Sequence, residues 1–273
     1  MPLTGIATII TNGAVAEQTP LDYGTLKIFA DAENGVVTSS DDVTSWTDEA
    51  ASEAFTVPAN GASPKFESSV VNGLPGINFQ QPTGVGNGFL SRKLSANANV
   101  VDNFFGGSGN KAIAFAGKLN RLTDNVFNTR STIISKGFNN GTGWSLSIDA
   151  NGSMEFQHKF GTSGSSAWKI KASGFYKVND LVLGYIRYSG GNSTGSGILR
   201  LYNNNSGEFV TVGSVTTASG SRGSDSSFPL VLGSIIDPTN GNNHAPFEGP
   251  LFGVWMTKAA DVTFDEDYMS RWL

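Results

Sequence analysis

Two histidines, 23 acidic side chains and no cysteine bound the chemistry open to this 273-residue chain. Without thiolates there are no disulfides, iron–sulfur clusters or thiolate zinc sites. Acid–base work would fall to carboxylates or to His158 and His244. The densest acidic run, Asp265-Glu266-Asp267, follows Thr263 and reads as favourable charge at a helix N-terminus, not as a catalytic pair. A lyase would need a tyrosine, histidine or lysine base beside a cation that neutralises a uronate. His158, Lys159, Tyr185, Arg187 and Tyr188 would supply that set if they lay on adjacent strands. His158 shares its parity with Phe156 and Phe160, however, which predicts a partly buried ring satisfied by one hydrogen bond. His244, within Asn242-Asn243-His244-Ala245-Pro246, reads as a loop residue. Asp225 and Asp237 also fall in loops. Neither shows the dense oxygen-ligand spacing of a calcium site, so both read as solvated acids, and no cofactor or metal is expected. Gly84-x-Gly86-x-Gly88 has no preceding parallel strand or following helix and reads as a turn, not a phosphate cradle.

Sugar binding would use flat aromatic faces for C–H surfaces and short polar groups for hydroxyls. Trp168 follows the Gly/Ser loop Gly161 to Ser166 and is the tryptophan least explained by an apolar strand pattern, so it is expected at the surface. Trp168, His158, Tyr188 and Asn140 are therefore the ligand-binding candidates. Trp46, Trp144 and Trp255 read as packing.

The elements that must position these residues are strands. Trp144, Leu146 and Ile148 alternate with Ser145, Ser147 and Asp149, Asn151-Gly152 supplies a tight turn, and Met154, Phe156 and Phe160 resume the period of two. With Thr132 to Ser135 before it, this predicts a three-stranded meander. Further strands are expected near 25–30, 75–80, 111–119, 180–188, 197–203, 208–213, 228–233 and 247–257. Leu181-Val182-Leu183-Gly184-Tyr185-Ile186 and Leu251-Phe252-Gly253-Val254-Trp255-Met256 are apolar on both faces, as for strands central in a sandwich or beneath a covering layer. The 34 glycines, 18 phenylalanines and 15% charged residues favour β structure. A capping box, Thr263 with Glu266, and a stripe of Phe264, Tyr268 and Trp272 predict a helix over 264–272. The Gly/Ser/Asn stretches 189–197 and 218–227 read as exposed loops.

Leu26-Lys27-Ile28-Phe29-Ala30-Asp31-Ala32, Val43-Thr44-Ser45-Trp46-Thr47-Asp48 and Val71-Asn72-Gly73-Leu74-Pro75-Gly76-Ile77-Asn78-Phe79 resemble the opening of concanavalin A-like lectin/glucanase domains of the laminin-G-like type. Ile133-Ile134-Ser135-Lys136-Gly137, Leu199-Arg200-Leu201-Tyr202-Asn203, Leu230-Val231-Leu232-Gly233 and Pro246-Phe247-Glu248-Gly249 follow in the same order. The resemblance spans roughly Leu26 to Leu273 and implies an all-β, two-sheet antiparallel jelly-roll sandwich, here with a short C-terminal helix. Its members range from lectins and adhesion modules to glycosidases and lyases. The glucanases' Glu-x-Asp-x-x-Glu strand is absent, and Asp180-Leu181-Val182-Leu183-Gly184 stands where many relatives carry a Trp-His pair. A non-enzymatic protein is therefore expected.

The net charge of −5 and the lack of a basic cluster argue against nucleic acid. No apolar run approaches the roughly 20 residues that span a bilayer. Residues 1–24 read as an N-terminal arm before a domain at 25–273, with Ile6, Ile9 and Ile10 as an apolar patch for a symmetry mate or another particle protein. The leaderless start, absent cysteines and Gly/Ser/Asn loops give the expectation of an extracellular bacteriophage virion surface or tail-associated protein that contacts glycans. The alternative is a lectin-like adhesion module binding through the concave sheet face or the rim loops.

Overall fold

The computed structural model describes residues 25–59, 61–81, 92–106, 109–122, 130–137, 142–160, 166–235, 245–258 and 262–273, with side chains in the last segment from residue 266 onward. The arm at 1–24 with Ile6, Ile9 and Ile10, and the loop residues Asn140, Asp237 and His244, lie outside the described residues.

The described chain forms β1 (Leu26–Asp31), β2 (Val36–Ser39), β3 (Asp42–Thr47), β4 (Ala54–Thr56), β5 (Lys65–Val71), β6 (Leu74–Asn78), β7 (Leu94–Ala96), β8 (Lys111–Lys118), β9 (Arg130–Lys136), β10 (Trp144–Asp149), β11 (Met154–Phe160), β12 (Ser166–Ala172), β13 (Leu181–Tyr188), β14 (Gly197–Asn203), β15 (Glu208–Val212), β16 (Ser214–Thr216), β17 (Leu230–Leu232), β18 (Pro250–Thr257) and the helix α1 (Val262–Met269). One layer runs β1-β18-β8-β13-β14-β15. The other runs β2-β3-β4-β7-β17-β9-β10-β11-β12-β16. The pairing of β5 with β3 and of β6 with both β5 and β18 joins the layers at a corner. All pairings between these strands are antiparallel, as expected for the jelly-roll sandwich, and the isolated bridge Ala62–Arg92 outside them is parallel. The meander forms as its alternation dictates, with Trp144 opposite His158, Leu146 opposite Phe156 and Ile148 opposite Met154. Gly152 takes the positive φ of 75° at its turn, where any Cβ would strike the Tyr176 carbonyl.

The strands with two apolar faces lie beneath a covering layer. Val182, Ile186, Val254 and Met256 point into the inter-sheet core. Their neighbours Leu183, Tyr185, Phe252 and Trp255 point the other way, against Tyr268, Met269 and Trp272 of the C-terminal segment. The Tyr268 hydroxyl donates to Asp31 at 2.5 Å, and Arg271 reaches both Asp31 and Glu33. Thr263 and Phe264 of the expected capping box and stripe have side chains outside the described set. Glu266 is not reserved for that box: its carboxylate accepts from Arg200 of β14, because a guanidinium fork offers it two charge-assisted bonds.

Candidate functional site

β11 and β13 are not hydrogen-bonded neighbours. They belong to opposite layers, and the five residues that a lyase reading needs on adjacent strands do not assemble. Tyr185 turns outward beneath the C-terminal segment, while His158 and Tyr188 meet across the core with ring centroids 5.6 Å apart.

Trp168 is wholly buried. It stacks on Tyr188 at 4.4 Å and 26° and donates from Nε1 to the Ser193 carbonyl at 2.8 Å. The expectation of a surface tryptophan fails because Trp168, Ile170 and Ala172 alternate with Lys169 and Lys171 on β12, which puts the indole on the core face. The stretch 189–197 closes over it through Ser193, so it is no free loop. Phe105 completes the cluster, lying 5.1 Å from Tyr188, 5.4 Å from Phe156 and 5.4 Å from Trp144.

The outer edge of this cluster opens into a cavity of about 270 Å³. Its walls come from the loop after the 3₁₀ turn Asn99–Val101, from His158 on β11, and from residues 222–225. Asn103 and Asp225 lock the two loops together: the Asn103 backbone N–H donates to the Asp225 carboxylate at 2.6 Å, and the Asp225 N–H donates back to Asn103 Oδ1 at 3.3 Å. Asp225, expected as a solvated acid, is 4% exposed. Burial raises its pKa, against the opposing effect of the Asn103 N–H. Arg222 donates from Nη1 to the Phe105 carbonyl. Gly190, at φ +79°, makes room for that contact, since a Cβ there would lie 2.0 Å from the Phe105 oxygen and 2.3 Å from Arg222 Nη1.

The tautomer of His158 follows from its partner. The Tyr188 hydroxyl donates its single proton to the Gly191 carbonyl at 2.5 Å, so in its 3.2 Å contact with His158 Nδ1 it must accept. The imidazole therefore carries its proton on Nδ1 and turns Nε2 to the cavity as an acceptor. Burial, helped by the charge of Arg222, pushes its pKa down to about 3. A base held below its unfolded pKa leaves stability intact above pH 6.5 and drains it as pH falls towards 3. Between pH 6.5 and 5 the loss attributable to His158 is about 2 kcal/mol. Denaturant titrations of wild type and His158→Asn should show this as a shallower acid slope in the variant; equal slopes would mean that the ring is not neutral.

The outward face of β9, β10 and β11 is polar, with Ser135, Ser145 and Gln157 in one cross-strand row and Ser147 beside Glu155 in the next. All five are less than a tenth exposed, while Arg130 and Lys159 on the same face are half-buried. The rim cavity is an open concavity beside the aromatic cluster. Of the ligand-binding candidates, His158 lines this cavity and Tyr188 packs behind it, and Asn103, Phe105, Arg222, Ser224 and Asp225 line it as well. The signal for these in the chain was the pair Phe104-Phe105 set between Asp102-Asn103 and Gly106-Gly107. No group of three or more metal-ligating side chains occurs among the described residues, and no helix among them is long and apolar enough to cross a membrane.

A scan against protein-family models gives no match, and a search of curated proteins gives none. Among solved structures, the Trypanosoma rangeli sialidase in complex with sialic acid aligns with 90% of this chain at 13% identity and a TM-score of 0.50, and the match spans 33% of that chain. The CBM40 of the Ruminococcus gnavus IT-sialidase, bound to α2,3-sialyllactose, aligns with 59% of this chain and 82% of its own at 15% identity, with a TM-score of 0.40. The receptor-binding domain of botulinum neurotoxin mosaic serotype C/D aligns with 91% of this chain and 50% of its own at 12% identity, with a TM-score of 0.42. This chain therefore covers about a third of the sialidase's length. At such identity the sialidase match shows the fold alone, an antiparallel β-sandwich.

Proposed function

We propose that the chain is a carbohydrate-binding module of the concanavalin A-like, laminin-G-like kind, acting without catalysis, and that its site is the rim cavity. The observation that supports this most is the mixture of groups on the walls. The imidazole Nε2 of His158 accepts, Arg222 and Asn103 donate, and Ser224 can do either around the Phe105 ring, the mixture that hydroxyl-bearing ligands need. Asp225 is the one carboxylate lining the cavity among the described residues. Glycoside hydrolysis by the common two-carboxylate route needs a pair about 5 to 9.5 Å apart, and Asp225 is already held by Asn103. The fold by itself hosts many activities and selects none.

A glycan array probed with the purified chain tests the reading. Wild type should bind a defined subset, and Ser224→Trp, which fills the cavity from an exposed position, should lose at least tenfold in affinity while keeping its unfolding transition. Absence of any bound glycan, or equal binding by the filled variant, would refute it. The virion-surface setting is a separate proposal that rests on composition and on the arm at residues 1–24. Particle attachment lost on deleting residues 2–20, with glycan binding retained, would support it.

A further inference from the structure

A second cavity of about 200 Å³ lies against the first. Asn103 and Gly106 line both, so one loop forms the divide between them. The second cavity adds Lys111 and Lys258 to the walls, opposite the Arg222 of the first. The two carboxylates nearby are engaged from behind: Asp102 pairs with the buried Lys136 at 2.9 Å, and Asp225 accepts the Asn103 N–H. Arg222 spends one Nη1 proton on the Phe105 carbonyl, and its remaining N–H groups have no acceptor among the described residues. Lys258 makes no ion pair there either. In a chain of net charge −5, this rim concentrates cations.

We propose that the paired cavities form one cleft that selects an anionic glycan, with a carboxylate or sulfate ester on the guanidinium of Arg222 and a second negative group, or the same polyanion's next residue, towards Lys111 and Lys258. This rests on the glycan-binding reading above and narrows it by charge. A planar guanidinium fork matches the paired oxygens of either group. Three cations gather on one rim of a chain of net charge −5, which favours the approach of negative ligands to that rim. Lys111 donates from Nζ to the Gly109 carbonyl at 3.1 Å, and burial, with the charges of Arg222 and Lys258, lowers its pKa, so the positive charge at this rim is felt by its own members.

Calorimetry with four probes decides the matter: oligogalacturonate and 3′-sialyllactose as carboxylates, a heparin hexasaccharide as sulfate ester, and maltohexaose as a neutral control. The cleft should bind at least one anionic probe ten or more times tighter than maltohexaose. That affinity should fall several-fold between 50 and 300 mM NaCl. Arg222→Gln should lose at least tenfold on the anionic probe, and the double variant Lys111→Met/Lys258→Met should flatten the salt dependence. If Arg222→Gln does not fold, the salt series on wild type still discriminates. Maltohexaose bound as well as the anions, without salt dependence, overturns the charge selection and leaves the module reading standing. Binding of none of the four probes, with none on the array, overturns both.

Discussion

Replacing Lys136 by methionine is expected to destabilise the chain by about 3–5 kcal/mol at pH 7, the cost of stripping one partner from a buried ion pair. Lys136, at the end of β9, is 1% exposed. Its ammonium donates to the Phe228 carbonyl at 2.7 Å and pairs with Asp102 at 2.9 Å. Its charge also offsets the buried carboxyl of Asp225. One side chain thus ties the 99–106 loop and the 222–228 loop to the second sheet. Methionine would fill the stem's space and leave two carboxylates facing each other without a cation. Acid should relieve part of the deficit, because burial already raises the pKa of Asp225 and its protonation removes the repulsion. The difference between Lys136→Met and wild type, measured by urea unfolding, should therefore shrink from pH 7 to pH 4. Adding Asp102→Asn to Lys136→Met should recover part of it in a double-mutant cycle. A loss below 1 kcal/mol at pH 7 would show that the pair contributes little. Because the same pair positions both loops, ligand affinity should fall with stability in Lys136→Met, whereas Ser224→Trp should separate the two.

The fold was legible where the alternation was strict. β10 and β11 announce their parity residue by residue, and the double-faced apolar runs of β13 and β18 require cover on both sides, which the C-terminal segment supplies. The short strands β2, β4, β7 and β16 carry three or four residues each, too few for periodicity to stand out from a loop. β12 is different. Ser-Ala-Trp-Lys-Ile-Lys-Ala alternates plainly, but the Gly/Ser loop before it and its two lysines disguised a half-buried strand, and Trp168 was misplaced with it. The site was less legible than the fold. Its walls are loops brought together by long-range contacts, such as Asn103 with Asp225, 122 residues apart, and no local pattern encodes such a meeting. His158 was legible as a partly buried ring from its parity. That its free nitrogen faces a cavity depends on Tyr188 and Gly191, which only the tertiary structure juxtaposes.

Lys93→Met should do the reverse of Lys136→Met and stabilise the chain. Lys93 enters β7 with its backbone N–H bonded to Ala62 O at 3.2 Å. Its stem passes Gly61 so closely that a Cβ there would sit 3.1 Å from Lys93 Cγ. The side chain is fully buried, and Nζ has no hydrogen-bond partner among the described residues. Burial alone pulls its pKa down from 10.5 to about 8. The sign follows from proton uptake. Between pH 8 and 10.5 the unfolded chain holds a proton on this amine that the folded chain releases, so folding becomes more favourable as pH rises through that window. At pH 7 both states are charged and the full penalty applies, about 3 kcal/mol. Methionine keeps a long flexible apolar stem in the same space and removes the charge. The variant should therefore gain up to about 3 kcal/mol at pH 7, measured by guanidinium unfolding, and its advantage should decline towards pH 10.5 as the wild-type amine sheds its proton. A variant no more stable than wild type at pH 7, or an advantage unchanged at high pH, would mean that the ammonium is solvated or paired in solution. The contrast between the two lysines is the physical point: each is excluded from water, and the carboxylate and carbonyl beside Lys136, with no counterpart beside Lys93 among the described residues, reverse the sign of the same substitution.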